Sequence, residues 1–244
     1  MRIKRKFFTT LLFATALTST LYILAPDNNL HKKRIDEFFI KNIISQNLVI
    51  KKIEITGTKE LSRESILNVV SAEKGRPIFE FDTIKIRENI ESISWVERAE
   101  VKRILNGTIN IIVFEKSPIA LWKKDKELFL IDTKGEIIEK NKSKKFLNLP
   151  MILGEEAPKH INELLSMLKK FPNIYENIHH FQRVGNRRWN LRLNDDSTIL
   201  LPEKNYMFAL EQLSSLEEKE KILSKKKVNI DMRIPKKIIF KALQ

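Results

Sequence analysis

Nineteen consecutive residues, Phe7 to Ala25, carry no charge, and Arg2, Lys4, Arg5 and Lys6 crowd the six residues ahead of them. As a helix that run is roughly 28 Å long, close to the hydrocarbon thickness of a bilayer. A helix satisfies its own backbone polar groups, which a single span in lipid requires. Pro26-Asp27-Asn28-Asn29 stops the run. The basic cluster favours the cytoplasmic side, so the chain from residue 26 onward is expected across the membrane. His31-Lys32-Lys33-Arg34 opposes that orientation but lies farther from the span. The alternative is a cleaved signal peptide. Cleavage after Ala25 would put Ile23 where a small residue belongs, and too little apolar chain precedes Ala14-Thr15-Ala16. The reading is therefore a cytoplasmic tail at 1–6, a transmembrane helix at 7–25 and a single-pass type II topology.

This placement decides what the formal net charge of +14 means. A basic cytosolic protein would be a candidate for nucleic acid, whereas beyond the membrane the available anions are lipid headgroups and cell-wall polymers. Enrichment in Lys, Ile and Asn runs along the whole chain, so compositional drift also accounts for the excess. Residues 26–47 form a juxtamembrane linker. Within it Ile35, Phe38, Phe39 and Ile43 fall at helical spacing, which suits either a helix lying along the bilayer or one packed on the next domain.

From Leu48 the period changes. Residues 48–57 (LVIKKIEITG) predict a strand ending at Gly57. Ser62 stands at an N-cap position before Ile66, Val69 and Val70, and Gly75 closes that helix. Asp82 can cap a second helix with Ile86, Ile90 and Ile93 on one face. VERAEVKRIL and TINIIVFE follow, joined by Asn106-Gly107, a strong two-residue hairpin signal. The order β-α-α-β-β over 48–116 predicts a compact α+β unit. Past Pro118 the pattern is mostly strands: 119–122, 128–132, 136–139, 149–154, three at hairpin spacing between 177 and 202, and a closing pair at 227–234 and 236–243. Two amphipathic helices, 158–171 and 204–217, interrupt them. The fold class is thus α+β throughout, with a second mixed domain at 117–244 built on a mainly antiparallel sheet whose last strand is a candidate edge.

Chemistry is hard to find. With no Cys there are no disulfides, thiolate metal sites or cysteine nucleophiles, and none of the 6 Gly falls in a phosphate-cradling frame. His179 and His180 are neighbours in a predicted strand, which sends their side chains to opposite faces and prevents joint chelation. His31 and His160 lack spaced ligands. Asp195-Asp196-Ser197 lacks the Gly and Glu of a calcium loop and reads as a turn. No nucleophile elbow, S-x-x-K or H-E-x-x-H occurs. The chain therefore has no assigned catalytic, cofactor-binding or metal-ligating residue, and a binding or assembly role is the default.

Trp95-Val96-x-x-Ala99-x-Val101-x-Arg103, then Thr108-Ile109, Ile111, Val113, Glu115-Lys116, Pro118, Ala120 and Trp122, followed by Leu130-Ile131-Asp132, Gly135, Leu149-Pro150, Gly154, Arg188-Trp189, Asp231 and Arg233, together resemble the FtsQ/DivIB family of bacterial cell-division proteins. The likeness runs in order along nearly the whole chain. It implies a POTRA domain at 48–116, a β domain at 117–244, an inner-membrane anchor and a scaffold at the division septum linking early and late division proteins. It also implies that the small coiled-coil proteins FtsB and FtsL bind the β domain, with an FtsB segment adding a strand at the C-terminal edge. On that reading residues 236–241 form the edge. Lys236, Lys237, Ile238, Ile239, Phe240 and Lys241 would meet the partner, with Arg233, Ile234, Arg187 and Arg188 beside them. Ordinary surface charge is the alternative for the arginines, and core packing for Trp122 and Trp189. This chain departs from the family pattern at Asn106-Gly107, at Ile234, where an aromatic is usual, at Lys237, where Gly is common, and at its last residues, which lack the terminal Trp. Two other readings compete: a peptidoglycan hydrolase of the envelope, needing a carboxylate pair in a cleft, and a POTRA-bearing secretion or assembly component.

Overall fold

The computed structural model describes residues 16–17, 48–70, 74–104, 106–225 and 227–242. The expected span 7–25, apart from Ala16 and Leu17, and the tail and linker on either side lie outside them. Among the described residues no helix is long and apolar enough to cross a membrane.

From residue 48 five elements follow in the expected order: β1 (Lys52–Thr56), α1 (Arg63–Val70), α2 (Thr83–Glu91), β2 (Val96–Ile104) and β3 (Thr108–Glu115), with a 3₁₀ turn, Ile78–Glu80, ahead of α2. They form a three-stranded sheet ordered β1-β3-β2, in which β1 runs parallel to β3 from Lys52↔Thr108 to Thr56↔Ile112. Alternation makes one side of this sheet apolar: Ile53, Ile109, Ile111 and Val113 are buried, as are Ile66, Val70 and Ile90 of the helices. Asp82 starts α2, its Oδ1 accepting from the backbone N–H of Ile84 at 3.0 Å and of Lys85 at 3.1 Å. Asn106-Gly107 turns the hairpin, with Gly107 at φ 93° and the Asn106 side chain accepting from the Thr108 N–H at 3.0 Å. Only residues 52–56 of the expected first strand enter the sheet; Val49 instead bridges Pro77.

The remaining elements are β4 (Ala120–Lys124), β5 (Glu127–Ile131), β6 (Ile137–Lys140), β7 (Met151–Leu153), α3 (Ala157–Leu168), α4 (Pro172–Tyr175), β8 (Ile178–Val184), β9 (Arg188–Leu193), β10 (Thr198–Leu200), α5 (Tyr206–Glu220), α6 (Ile222–Lys225), β11 (Val228–Asp231) and β12 (Ile239–Ala242). Their nine strands make one sheet, ordered β12-β11-β10-β9-β8-β7-β4-β5-β6. Five of its eight pairings are antiparallel. The three parallel ones are β4–β7, β7–β8 and β10–β11. Two of those three follow from a helix carrying the chain back between consecutive strands, α3 between β7 and β8 and α5 between β10 and β11. Matched register lines up Trp122, Ile152, Phe181, Leu191, Ile199 and Ile230 on one face. There they bury against Ile161, Leu164 and Leu168 of α3 and Leu210 and Leu213 of α5. Each such side chain contributes roughly 1.5–3 kcal/mol. The expected helix 158–171 stops at Leu168 because Pro172 opens α4.

By packing, the chain divides into two compact units. The described part of the first comprises 16–17, 48–56, 63–70, 74–90, 100–104 and 106–112; that of the second comprises 57–62, 91–99, 113–225 and 227–242. Within the second, Trp95, Leu121, Leu130 and Ile138 form a smaller cluster with Leu61 and Phe146. The Glu115 carboxylate accepts from the backbone N–H groups of Lys59, Glu60 and Leu61 at 2.8–3.1 Å. Asp132 accepts from the N–H groups of Lys134 and Glu136 and meets the Lys116 ammonium at 3.1 Å.

Candidate partner-binding edge

β12 is the last strand of the nine-stranded sheet, and among the described residues nothing pairs with its outer flank. It runs antiparallel to β11, from Asp231↔Ile239 to Val228↔Ala242. All four of its residues are exposed. Phe240 stands opposite the core residue Ile230 and so faces the helix side, while Ile239 and Lys241 face the other. A strand with one unpaired flank offers a row of backbone donors and acceptors.

The edge is shorter at its start than expected. Residues 236–238 are not strand: Lys237 N–H donates to the Ile234 carbonyl at 3.1 Å, with Pro235 between them and Lys236 at φ 62°. Pro at the second position and a left-handed third residue define a type II turn, which holds 236–238 out of the ladder. Ile238 packs against the main core, so Ile239, Phe240 and Lys241 are the expected contact residues that the edge presents, and Ala242 joins them.

Arg233 does not stand as a loose cation. Its Nε and Nη2 donate to the Asp231 carboxylate at 2.8 and 2.6 Å, and its backbone N–H donates to the same group. Arg233 holds the Asp231 carboxyl below the usual range against the opposing effect of burial. Arg188, the first residue of β9, pairs with Val184 of β8. The ladder of Leu201 N–H to Trp189 carbonyl and Met232 N–H to Leu200 carbonyl carries the register across, so Arg188 and Arg233 share a face two strands apart, roughly 9.5 Å. The Arg188 Nε is buried without a hydrogen-bond partner. Arg187 is exposed and lies 3.9 Å from Glu203. Trp189 and Trp122 are 1% and 8% exposed, so both belong to the core.

One part of the surface escaped the sequence reading. A cleft of about 260 Å³ opens between α5 and the Ile234-Pro235-Lys236 turn, lined also by Pro202, Phe208, Ala209 and Met232. Phe208 is 51% and Ile234 49% exposed. The available signal was that Phe208 sits off the α5 stripe of Tyr206, Leu210 and Leu213.

The histidine reading is corrected. A register irregularity between Ile178 and His180 breaks the strict alternation that would separate the two rings. The Nδ1 atoms of His179 and His180 approach to 2.9 Å with ring centroids 5.2 Å apart, so one ring donates and the other accepts. Burial above all, then His179, Arg192 and Lys123, holds the His180 imidazole below its ordinary value. No group of three or more potential metal ligands occurs among the described residues. Glu156, hydrogen-bonded to Lys159, and Asp231 are held below the usual carboxyl range. So is Asp132, where burial pushes up but the Glu136 N–H, Lys116 and the Lys134 N–H together outweigh it. A general acid needs the opposite direction.

The β-α-α-β-β unit and the mixed sheet that follows it each match a described domain of known proteins. Residues 48–116 match the FtsQ-type POTRA domain and residues 120–233 match the C-terminal domain of cell division protein FtsQ/DivIB. Cell division protein FtsQ of Rickettsia bellii is 34% identical over 184 residues, 75% of this chain and 68% of that protein. The FtsQ of Bradyrhizobium diazoefficiens is 30% identical over 78% of this chain and 56% of its own length. The solved extracytoplasmic domain of DivIB from Geobacillus stearothermophilus aligns at 15% identity and TM-score 0.32, covering 44% of this chain and 95% of that domain. The chain belongs to the FtsQ/DivIB family of cell-division proteins. The family acts in the divisome with other division proteins and is non-catalytic, so the hydrolase reading falls away.

Proposed function

We propose that the chain is a single-pass divisome scaffold of the inner membrane. Residues 7–25 anchor it, the N-terminus lies in the cytoplasm, and the POTRA and β domains (48–116 and 117–244) lie in the periplasm at the division septum. It links early and late division proteins and receives an FtsB- or FtsL-type partner by strand addition on β12. The observation carrying this reading is the open outer flank of β12, with all four residues exposed at the end of a nine-stranded sheet. An extended partner would complete the backbone ladder, and side-chain pockets would supply selectivity. The cleft beside Phe208 and Ile234 is the nearest such pocket. Arg188 and Arg233 on one face, with Lys236, Lys237 and Lys241 along the turn and edge, suit an acidic segment.

Deletion of residues 236–244 tests this. Co-purification with an FtsB-type partner is expected to be lost while the POTRA unit stays folded, as reported by its amide spectrum. An undiminished pull-down would overturn strand addition at this edge. Phe240→Pro, which removes a single ladder donor, is expected to weaken the same interaction without removing any chain.

A further inference from the structure

We propose that the end of the first unit where the chain comes in from residue 47 is a membrane-resting surface that binds anionic lipid headgroups. The incoming backbone is clamped there on both sides. The Leu48 carbonyl accepts from Ile78 N–H at 2.8 Å, Ile50 N–H donates to Arg76 at 2.9 Å, and Lys51 N–H donates to Gly107 at 2.8 Å. The 76–78 loop and the β2–β3 hairpin tip are therefore both adjacent to the point of arrival. Two large apolar side chains stand exposed at that end, Phe79 at 47% and Ile104 at 41%. The Arg103 guanidinium, beside Ile104 in sequence, donates to the Phe79 carbonyl at 3.3 Å, which ties the 3₁₀ turn to the end of β2.

Around them Lys51, Lys74, Arg76 and Arg103 are all exposed. The nearby carboxylates are Glu80 and Asp82, and Asp82 is engaged with the start of α2. Arg76 and Lys85 also line a cleft of about 310 Å³, together with Glu80, Asp82 and Ile50, wide enough for a headgroup phosphate. Aromatic and aliphatic side chains ringed by Lys and Arg are the composition that lies at a bilayer interface. Each such cation raises partitioning onto an anionic surface by about fivefold.

The bilayer is the chosen occupant because the anchor brings it within reach. This inference rests on the reading of residues 7–25 as a membrane span. The 22 residues from Pro26 to Asn47 hold the patch no farther than roughly 75 Å from the span, so a tethered and individually weak contact suffices.

The chain has no Cys, so single cysteines can be labelled uniquely in the full-length protein. An environment-sensitive fluorophore is placed at Phe79→Cys, at Ile104→Cys, at Glu64→Cys on the opposite end of the unit, and at Thr18→Cys within the span. The protein is reconstituted in vesicles of phosphatidylglycerol and phosphatidylethanolamine carrying nitroxide lipids. Quenching at 79 and 104 is expected to exceed that at 64 several-fold. It should fall in vesicles of phosphatidylcholine alone or in high salt, and be abolished by Arg76→Glu with Arg103→Glu. Quenching at 18 with 79 and 104 no different from 64 would overturn the lipid surface while leaving the anchor standing. Absence of quenching at 18 would remove the anchor itself and with it this proposal. A label at 79 shielded from both nitroxide lipid and aqueous iodide would mean that protein covers the patch, either residues 31–45 or a second copy, and would also overturn it.

Discussion

Asp132 is where a single residue of the family pattern acquires a physical role. Its side chain is 5% exposed and sits 3.1 Å from a Lys116 ammonium that is itself 13% exposed, and two backbone N–H groups complete its shell. Because the folded-state value lies below the usual one, the unfolded chain takes up the proton first. The stability this carboxylate contributes is present above about pH 4 and is lost as pH falls through the lower folded-state value. Asp132→Asn is therefore expected to reduce stability at neutral pH and to flatten the acid limb of a urea-midpoint profile. An acid limb as steep as that of the parent chain would count against the assignment. At this scale the legible residues were those whose work is local. Asp82 caps α2 and Asn106-Gly107 turns a hairpin because each interaction closes within a few residues. His179 and His180 were misread because a ladder irregularity depends on the partner strand, and nothing in two adjacent histidines announces it. Glu115, holding three N–H groups more than fifty residues away in sequence, was visible as a motif residue and silent as a clamp.

Among the elements, the hairpin order of β8, β9 and β10 followed from turn residues, whereas the parallel pairings of β7 with β4 and β8 did not. Short apolar runs such as Met151–Leu153 state that a strand is buried, not which neighbour it finds. The last strand shows the same limit. The apolar run in 236–241 suggested six edge residues, but Pro235 at the second turn position and Lys236 at φ 62° consume the first three. A non-glycine residue in that region is strained relative to Gly. Lys236→Gly is accordingly expected to raise stability by about 0.5–1 kcal/mol, and to slow amide exchange along β12 because its turn is better formed. A loss of stability on this substitution would mean that the turn is not under strain.

For the whole molecule, charge and the open edge have separable effects. Rim cations steer encounter more than they hold a complex. Reversing Lys237 and Lys241 to Glu is expected to slow association with an acidic partner and to weaken its salt dependence, with a smaller change in dissociation rate. Surface plasmon resonance at two ionic strengths distinguishes this from loss of the ladder, which would raise dissociation instead. The change of period at Leu48 and the break at Pro118 give linear expected bounds, 48–116 and 117–244. The boundary by packing is not linear, since 57–62 and 91–99 group with the later chain, a property of long strands that no local pattern displays.

The two margins of the large sheet are not alike. β6 carries two charges, Glu139 and Lys140, beside Ile137 and Ile138, with Lys140 ion-paired to Glu127, and such charges discourage docking; β12 carries one, Lys241, beside Ile239 and Phe240. Identical strands meeting antiparallel across a twofold axis are self-complementary, so a bare β12 is also a template for its own kind. Under the proposed strand addition cellular dosage would become part of the design: each copy made in excess of its partner would be a candidate for homotypic pairing, and balanced synthesis of the two would keep that margin occupied.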